Sequence, residues 1–200
     1  MAVILITGVP GTGKGTISSE LAKEGFSVIA VNSLVNQLHL WTKKEKGSKV
    51  VDLKALRIEL LRIIALARKF NTDTVIEGHL LCEFILPADA CVVLRTDPDV
   101  LKKRLQMRRY PTAKLEENVE AELIDYCTQL SERNLKGKCP VYEVDTSGTI
   151  AKSVKDTLSV IKGKGSRFAS GRVDWSSKIG TANWIGRVRA TGRSAGKRRV

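Results

Sequence analysis

The chain has 200 residues, of which 42% are hydrophobic, so it can bury a core of ordinary size and wholesale disorder is excluded. Four cysteines are too few for a disulfide scaffold, and no internal period indicates a repeat architecture. The 34 Lys and Arg residues outnumber the 21 Asp and Glu residues, and the resulting formal net charge of +13 favours a polyanionic partner.

Short apolar runs alternate with segments of helical periodicity along residues 1–162. The first run, 2–6, is continuous, which is typical of a strand buried on both faces of a parallel sheet. Similar runs follow at 28–31, 74–76, 90–94 and 141–144. Amphipathic helices are predicted at 52–70, from 97 to about 109, and at about 115–134. The pattern predicts a three-layer α/β/α fold with a five-stranded parallel sheet, and ligands are expected beyond the carboxyl ends of its strands.

A glycine-rich segment, Gly-Val-Pro-Gly-Thr-Gly-Lys-Gly-Thr at 8–16, follows the first predicted strand and precedes a helix. This context is typical of a phosphate-binding loop, because glycines let successive N–H groups surround a phosphate at a helix N-terminus. Lys14 is predicted to reach the β- and γ-phosphates of a nucleotide. The segment departs from the general pattern in one respect, since Gly15 rather than Ser or Thr follows the lysine and Thr16 comes next.

Two potentially catalytic residues follow the third predicted strand. Glu77 lies at its carboxyl end, and His79 points the same way if the chain stays extended. A carboxylate in this place can hold the hydrated Mg²⁺ that bridges nucleotide phosphates, or it can orient a water molecule. The alternatives are a solvated strand-end acid for Glu77 and an ordinary loop residue for His79.

A basic helix follows the fourth predicted strand. Arg104 and Arg108 are four residues apart, so their guanidinium groups lie on one helix face. Phosphoryl transfer builds negative charge on the transferred group, and arginines that enter as a lid closes stabilise that charge. The alternative is a solvated basic face.

Residues 163–200 differ in composition from the rest of the chain. They contain ten basic residues, one acidic residue and two of the three tryptophans, without apolar periodicity. We interpret 1–162 as the folded domain and 163–200 as a flexible basic tail. Interleaved basic, glycine and tryptophan residues are typical of an RNA contact. A solubilising end is the first alternative, and docking of Trp175, Trp184 and Ile185 on the domain is the second.

Targeting and membrane signals are not expected. The apolar run at 2–6 leads into a glycine-rich turn instead of a cleavage site, and no apolar stretch approaches the length of a membrane span. The cysteine spacings also do not match a zinc site. We therefore predict a cytoplasmic protein with no membrane contact.

Several segments together resemble one known family. They are 8–16, Glu77-Gly78-His79, 94–97, and 104–110 followed by Lys114-Leu115 and Asn118. In this order they are similar to the adenylate kinase isoenzyme six family of archaea and eukaryotes, within the P-loop nucleoside monophosphate kinases. The resemblance covers about 1–162.

The resemblance implies roles for individual residues. Nucleotide contacts would come from Gly11, Gly13, Lys14, Gly15, Thr16 and the lid arginine Arg108. The catalytic residues would be Lys14, Arg108, Glu77 and His79, and Mg²⁺ would be held by Thr16 and Glu77, directly or through water. The acceptor nucleotide would bind at about 30–53 and the lid would span about 107–117.

The activity implied by the resemblance is ATP + AMP = 2 ADP, accompanied by ATP hydrolysis and by a role in small ribosomal subunit and 16S rRNA maturation. The implied partners are ATP, AMP or another nucleoside monophosphate, and a small-subunit ribosomal protein. The composition of the tail adds a contact with rRNA. Segment 34–37 lacks the expected acceptor arginine, which Arg57 or Arg62 would have to replace, and Arg109 stands where glycine often precedes the lid tyrosine. The alternatives are an ATPase assembly factor with little kinase activity, or an RNA-binding protein that uses its basic tail.

Overall fold

Residues 1–45 and 48–179 are described by the structure, a computed structural model. Its strands are β1 (Val3–Thr7), β2 (Ser27–Ala30), β3 (Trp41–Glu45), β4 (Ser48–Val51), β5 (Thr74–Glu77), β6 (Ala90–Arg95) and β7 (Val141–Asp145). Five of them form one parallel sheet in the order β2-β5-β1-β6-β7, whereas β3 and β4 pair as a separate antiparallel hairpin. The prediction of a five-stranded parallel sheet is confirmed.

Helices cover both faces of this sheet. They are α1 (Lys14–Lys23), α2 (Val31–Gln37), α3 (Leu53–Lys69), α4 (Pro98–Met107), α5 (Thr112–Leu123), α6 (Tyr126–Leu135), α7 (Ile150–Ile161) and α8 (Ser176–Ile179). One apolar cluster packs α1 and α7 on one face, and another packs α3, α4, α5 and α6 on the other. The three-layer architecture is therefore also confirmed. Among the described residues, no helix has the length and apolar character needed to cross a membrane.

Two of the predicted helices, α3 and α4, start at capping residues that the sequence already indicated. The Asp52 carboxylate accepts hydrogen bonds from the Lys54 and Ala55 amides at the start of α3. Asp97 caps α4 in the same way, ahead of Pro98 at the first helical position. Because α4 starts directly after β6, which lies between β1 and β7, this cap places the arginine helix at the carboxyl edge of the sheet.

The prediction of a single helix at about 115–134 is wrong, since the two helices α5 and α6 occupy this region. The chain breaks between α5 and α6 at Asp125, which has a left-handed backbone with φ 55°. The Asp125 carboxylate is bonded to the buried Arg95 guanidinium. This tertiary contact accompanies the break, although the apolar periodicity continues through it.

Arg95 is at the centre of a buried ionic group, the Arg95 cluster, formed with Glu122, Asp125 and Glu143. Arg95, Glu122 and Glu143 are each at most 3% exposed. Arg95 Nε lies 2.7 Å from Glu122 Oε1, and its other nitrogens are bonded to the carboxylates of Glu143 and Asp125. The cluster joins strands β6 and β7 to the two helices that follow α4.

The described part of the expected tail packs on the domain. Ala169 forms a β-bridge with Tyr142, and the Trp175 indole donates to Glu122 at 3.1 Å. The backbone amides of Arg172 and Val173 donate to Glu143 at 3.1 Å each. We call residues 169–178 the C-terminal strap.

The strap reaches the arginine helix as well as the Arg95 cluster. Lys178 lies 2.7 Å from Asp97 and 2.6 Å from Asp99 at the start of α4. The interpretation of a flexible segment from 163 onward therefore does not hold for the strap, because its donors bond to two buried carboxylates. Residues 180–200, which include Trp184 and Ile185, lie outside the described residues.

Truncation at two places tests this packing. A chain that ends at Ile179 retains the strap contacts described above, and we expect its free energy of unfolding to match that of the full chain. A chain that ends at Lys162 loses the donors to Glu122 and Glu143 and the Trp175 packing, and we expect a loss of about 2–4 kcal/mol. Urea denaturation of both truncated chains measures the difference. Equal stability would show that the strap does not support the domain.

Candidate nucleotide-binding site

The glycine-rich loop fits closely against its neighbours. Gly8 has φ +133°, and a Cβ on it would lie 2.5 Å from the Leu94 carbonyl oxygen of β6. Gly11 has φ +98°, and a Cβ there would lie 2.6 Å from Leu101 Cδ1 of α4. Both contacts exclude side chains, so the loop is pressed between the central strands and the arginine helix.

The start of α1 is suited to hold an anion. Gly13 is its N-cap in a left-handed conformation, and no side chain caps the helix. The first-turn N–H groups of Lys14, Gly15 and Thr16 therefore point out of the helix without a side-chain acceptor. Together with the positive end of the helix dipole, they form a surface whose donors and charge suit an anion such as phosphate.

The Lys14 ammonium group lies beneath the loop. Its Nζ donates to the carbonyl oxygens of Gly8 at 2.8 Å and Val9 at 3.1 Å. Burial lowers the Lys14 pKa below its ordinary value, while the nearby Glu77 and the thiols of Cys82 and Cys127 act in the opposite direction. The loop thus holds a buried cation next to the position predicted for the phosphates.

Glu77 and His79 flank Lys14 at the carboxyl end of β5. Burial raises the pKa of Glu77, although the Lys14 charge opposes that shift. His79 starts a 3₁₀ turn, and its carbonyl oxygen lies 3.2 Å from Thr7 Oγ1. Burial and the Lys14 charge lower the pKa of His79 to about 4, so its imidazole is neutral at pH 7.

This depressed pKa predicts how stability depends on pH. His79 titrates at about 4 in the folded chain and at the ordinary value of 6.5 when unfolded, so the unfolded chain binds more protons between these values. The free energy of unfolding should therefore fall as the pH drops from 6.5 to 4, by up to about 1.4 kcal/mol per pH unit for this group. The His79→Gln variant lacks this contribution. Urea denaturation of both proteins between pH 4 and 6.5 measures it as the free energy of unfolding of the wild type minus that of the variant. A difference that is independent of pH would contradict the expectation.

A cavity of about 430 Å³ opens beside the loop, within the volume range of small-molecule sites. It is lined by Gly11, Thr12, Gly13, Thr16, Ile17, Arg104, Met107, Arg108, Thr146, Gly148, Ile150 and Ser153. The predicted residues Gly11, Gly13, Thr16 and Arg108 thus meet on one cavity. Lys14, Glu77 and His79 are not among its lining residues, and Gly15 is exposed with open space around it.

The two arginines of α4 differ in their surroundings. Arg104 is half-buried and donates to the Thr146 carbonyl oxygen at 2.7 Å, and its pKa is lowered by burial and by the charge of Arg108. Arg108 is exposed and follows the last residue of the helix. The interpretation of a solvated basic face is therefore wrong for Arg104, which lines the cavity.

Thr146 connects the loop to the rest of the site, a role that its sequence position did not reveal. Its hydroxyl lies 2.8 Å from the Thr12 carbonyl oxygen, 2.9 Å from that of Arg95 and 2.7 Å from the Thr96 hydroxyl. Its carbonyl oxygen holds Arg104. The sequence feature that could have found it is the polar triplet 145–147, which directly follows the apolar run at 141–144.

The region expected to bind the acceptor nucleotide contains α2 and the β3–β4 hairpin. Lys49 donates to Asn36 Oδ1 at 2.5 Å and lies 4.8 Å from the Trp41 ring centre. Arg62 is exposed and paired with Glu59, and neither it nor Arg57 lines the cavity.

Comparisons with known proteins identify the family of this chain. A family model described as "AAA domain" matches residues 4–125. A "Putative adenylate kinase" of Methanocaldococcus jannaschii is 35% identical over 88% of this chain and 93% of its own length. A protein with the same name from Methanothermobacter thermautotrophicus is 36% identical over 87% of this chain and 97% of its own length.

Solved structures show similarity of fold only. A sugar kinase from Janibacter sp. HTCC2649 is 14% identical, covers 81% of this chain and 95% of its own, and has a TM-score of 0.57. A gluconokinase from Sinorhizobium meliloti 1021 is 18% identical over 83% of this chain and 94% of its own, with a TM-score of 0.54. By sequence, the chain belongs to the P-loop AAA domain family, in the group of archaeal proteins named "Putative adenylate kinase".

Proposed function

We propose that this protein is a nucleoside monophosphate kinase of the adenylate kinase type, which transfers the γ-phosphoryl group of ATP to AMP and also hydrolyses ATP. The observation that carries the proposal is the cavity in which Thr16 and the loop glycines face Arg104 and Arg108. Relatives at 31–36% identity that bear the name "Putative adenylate kinase" support it.

The proposed reaction depends on positioning and on charge. The first-turn N–H groups of α1 and the Lys14 ammonium bind the phosphates, and Lys14 exchanges its bonds to the Gly8 and Val9 carbonyls for phosphate oxygens. The base end of ATP lies against Arg104 and Thr146. Arg108 moves onto the transferred group as the lid at 107–117 closes, and closure excludes water.

Mg²⁺ would be held by Thr16 and Glu77 together with nucleotide phosphates and water. Hydroxyl and carboxylate oxygens are the donors that this ion prefers, and it usually keeps several waters. In the described residues, no group of three or more His, Cys, Asp or Glu side chains gathers around a metal position. The donor set therefore fits a metal that arrives with ATP, where it would neutralise phosphate charge.

A product assay with labelled ATP tests the proposal. With AMP, the expected product is two ADP for each ATP consumed and little free phosphate. Without AMP, slow release of phosphate is expected, with Glu77 and the neutral His79 orienting the water. Phosphate release that is unchanged by AMP, with no ADP formed from AMP, would rule out the kinase activity.

An ATPase assembly factor with little kinase activity is the second candidate. It is favoured by the acceptor region, where segment 34–37 lacks an arginine and neither Arg57 nor Arg62 lines the cavity. The same product assay separates the two candidates. Unchanged ATP turnover in His79→Ala would count against a hydrolytic role for this residue.

We further propose that the protein acts in small ribosomal subunit maturation, with a ribosomal protein partner and an rRNA contact through its C-terminal segment. Residues 180–200 contain six basic residues and no acidic one, which supports the RNA contact. Trp175 packs against the core and donates its indole N–H to Glu122, so we assign the RNA contact to residues 180–200. The test therefore compares the full chain with the chain that ends at Ile179: salt-sensitive RNA binding should be lost while nucleotide turnover is kept, and equal RNA affinity would refute the proposal.

A further inference from the structure

A second cavity, of about 690 Å³, lies along the outer side of α1 and α7. Its floor includes Ile150, Val154 and Leu158, which are spaced four residues apart and therefore form one stripe of α7. Ile150 is 58% exposed, and Val154 and Leu158 are each half-buried. We call this cavity the α1–α7 groove. It presents a continuous apolar stripe to solvent.

Lysines surround that stripe. Lys155, Lys162 and Lys164 line the groove and are exposed, and none of them forms an ion pair within 1–45 and 48–179. The one acidic lining residue, Glu20, is paired with Lys23 at 2.7 Å. The rim of the groove is therefore positively charged.

The occupant must match an apolar floor and a basic rim. Residues 180–200 of this chain carry six positive charges and no negative one, so like charges oppose their binding in the groove. The acidic helix α5 of a second copy is not available, because its apolar residues Leu115, Val119 and Leu123 are buried in the core. A nucleic acid backbone would satisfy the lysines but leave the apolar stripe uncovered.

We propose that the α1–α7 groove binds a short acidic amphipathic helix of a partner protein, whose apolar residues cover Ile150, Val154 and Leu158 and whose carboxylates face the three lysines. Helices that dock in grooves use apolar anchors at intervals of three or four residues, which matches the stripe of α7. This interaction surface goes beyond the proposed enzymatic function and does not depend on it.

A designed peptide tests the proposal with the full chain. The probe is a fluorescein-labelled, alanine-based helix of about sixteen residues with leucine at every third or fourth position and one glutamate beside each leucine. In fluorescence anisotropy we expect saturable binding, weakened at least about tenfold in K155E/K162E/K164E. The matched variant K54E/K136E/K138E changes net charge equally at exposed lysines outside the groove, and it should bind within about twofold of wild type.

Four results would overturn the proposal. Equal weakening by both triple variants would show that net charge alone attracts the peptide. Equal binding of a peptide with glutamine in place of leucine would show that the apolar stripe is not used. If the protein self-associates with increasing concentration and K155E/K162E/K164E does not, the groove binds a second copy. If an RNA oligonucleotide binds more tightly than the peptide and this binding is lost in the same variant, the groove binds nucleic acid.

Discussion

Replacing Arg95 by methionine is expected to lower the free energy of unfolding by about 3–5 kcal/mol. Arg95 is 1% exposed and is the only cation in the described chain that is bonded to the buried Glu122 and Glu143. Methionine has a similar volume, so the cavity term is small, and the loss arises from two buried carboxylates that lack a counter-charge. Urea denaturation at neutral pH measures the effect.

Two comparisons establish the cause. Arg68→Met removes an arginine that is 42% exposed and paired with Asp89, and it should cost less than about 1 kcal/mol. Adding Glu122→Gln and Glu143→Gln to Arg95→Met removes the unpaired charges and should restore part of the lost stability. An Arg95→Met variant that is no less stable than Arg68→Met would show that the Arg95 cluster is not a major support of the fold.

This buried cluster shows which part of the fold was predictable from the sequence. The five strands of the parallel sheet could be predicted, because each is a short apolar run. The starts of α3 and α4 could also be predicted, from Asp52 and from Asp97-Pro98. The break between α5 and α6 at Asp125 could not be predicted, because it accompanies an ion pair with Arg95, which lies 30 positions earlier. An ion pair between residues that are distant in the sequence produces no periodic pattern of residues from which it could be predicted.

The hairpin and the strap were missed for related reasons. Strand β3 begins Trp-Thr-Lys-Lys, which does not have the alternation of a half-buried strand. The strap has the composition of a flexible segment, but its Trp175 indole and two backbone amides are donors to buried carboxylates. Amino-acid composition gives the number of apolar residues in a segment. The strap, however, packs on the domain through hydrogen bonds between particular donors and acceptors, which composition does not show.

The candidate site was predictable in part. The loop has a local signature, so Gly11, Gly13 and Thr16 line the cavity as expected. Arg104 and Thr146 are 42 positions apart, and their bond at 2.7 Å results from the adjacency of β6 and β7, with α4 directly after β6. No local pattern indicates that Arg104 of the basic helix is bonded to the domain while Arg108 is exposed.

This difference in surroundings predicts different kinetic effects for the two arginines. If Arg108 meets the transferred group only when the lid closes, Arg108→Ala should lower kcat about 10³-fold with little change in KM for ATP. Arg104 is held against Thr146 and lines the cavity before closure, so Arg104→Ala should chiefly raise KM for ATP, by about tenfold. Steady-state kinetics with ATP and AMP measure both constants.

Lys103→Ala provides the matched control, because it removes an exposed cation from the same helix without touching the cavity. Its kcat and KM should stay within about twofold of wild type. Equal losses of kcat in Arg104→Ala and Arg108→Ala would contradict separate roles, and an unchanged kcat in Arg108→Ala would remove this residue from the reaction. Since Arg108 is exposed and bonds to no buried group within 1–45 and 48–179, a loss of activity without a loss of stability is the result that assigns it to the transition state.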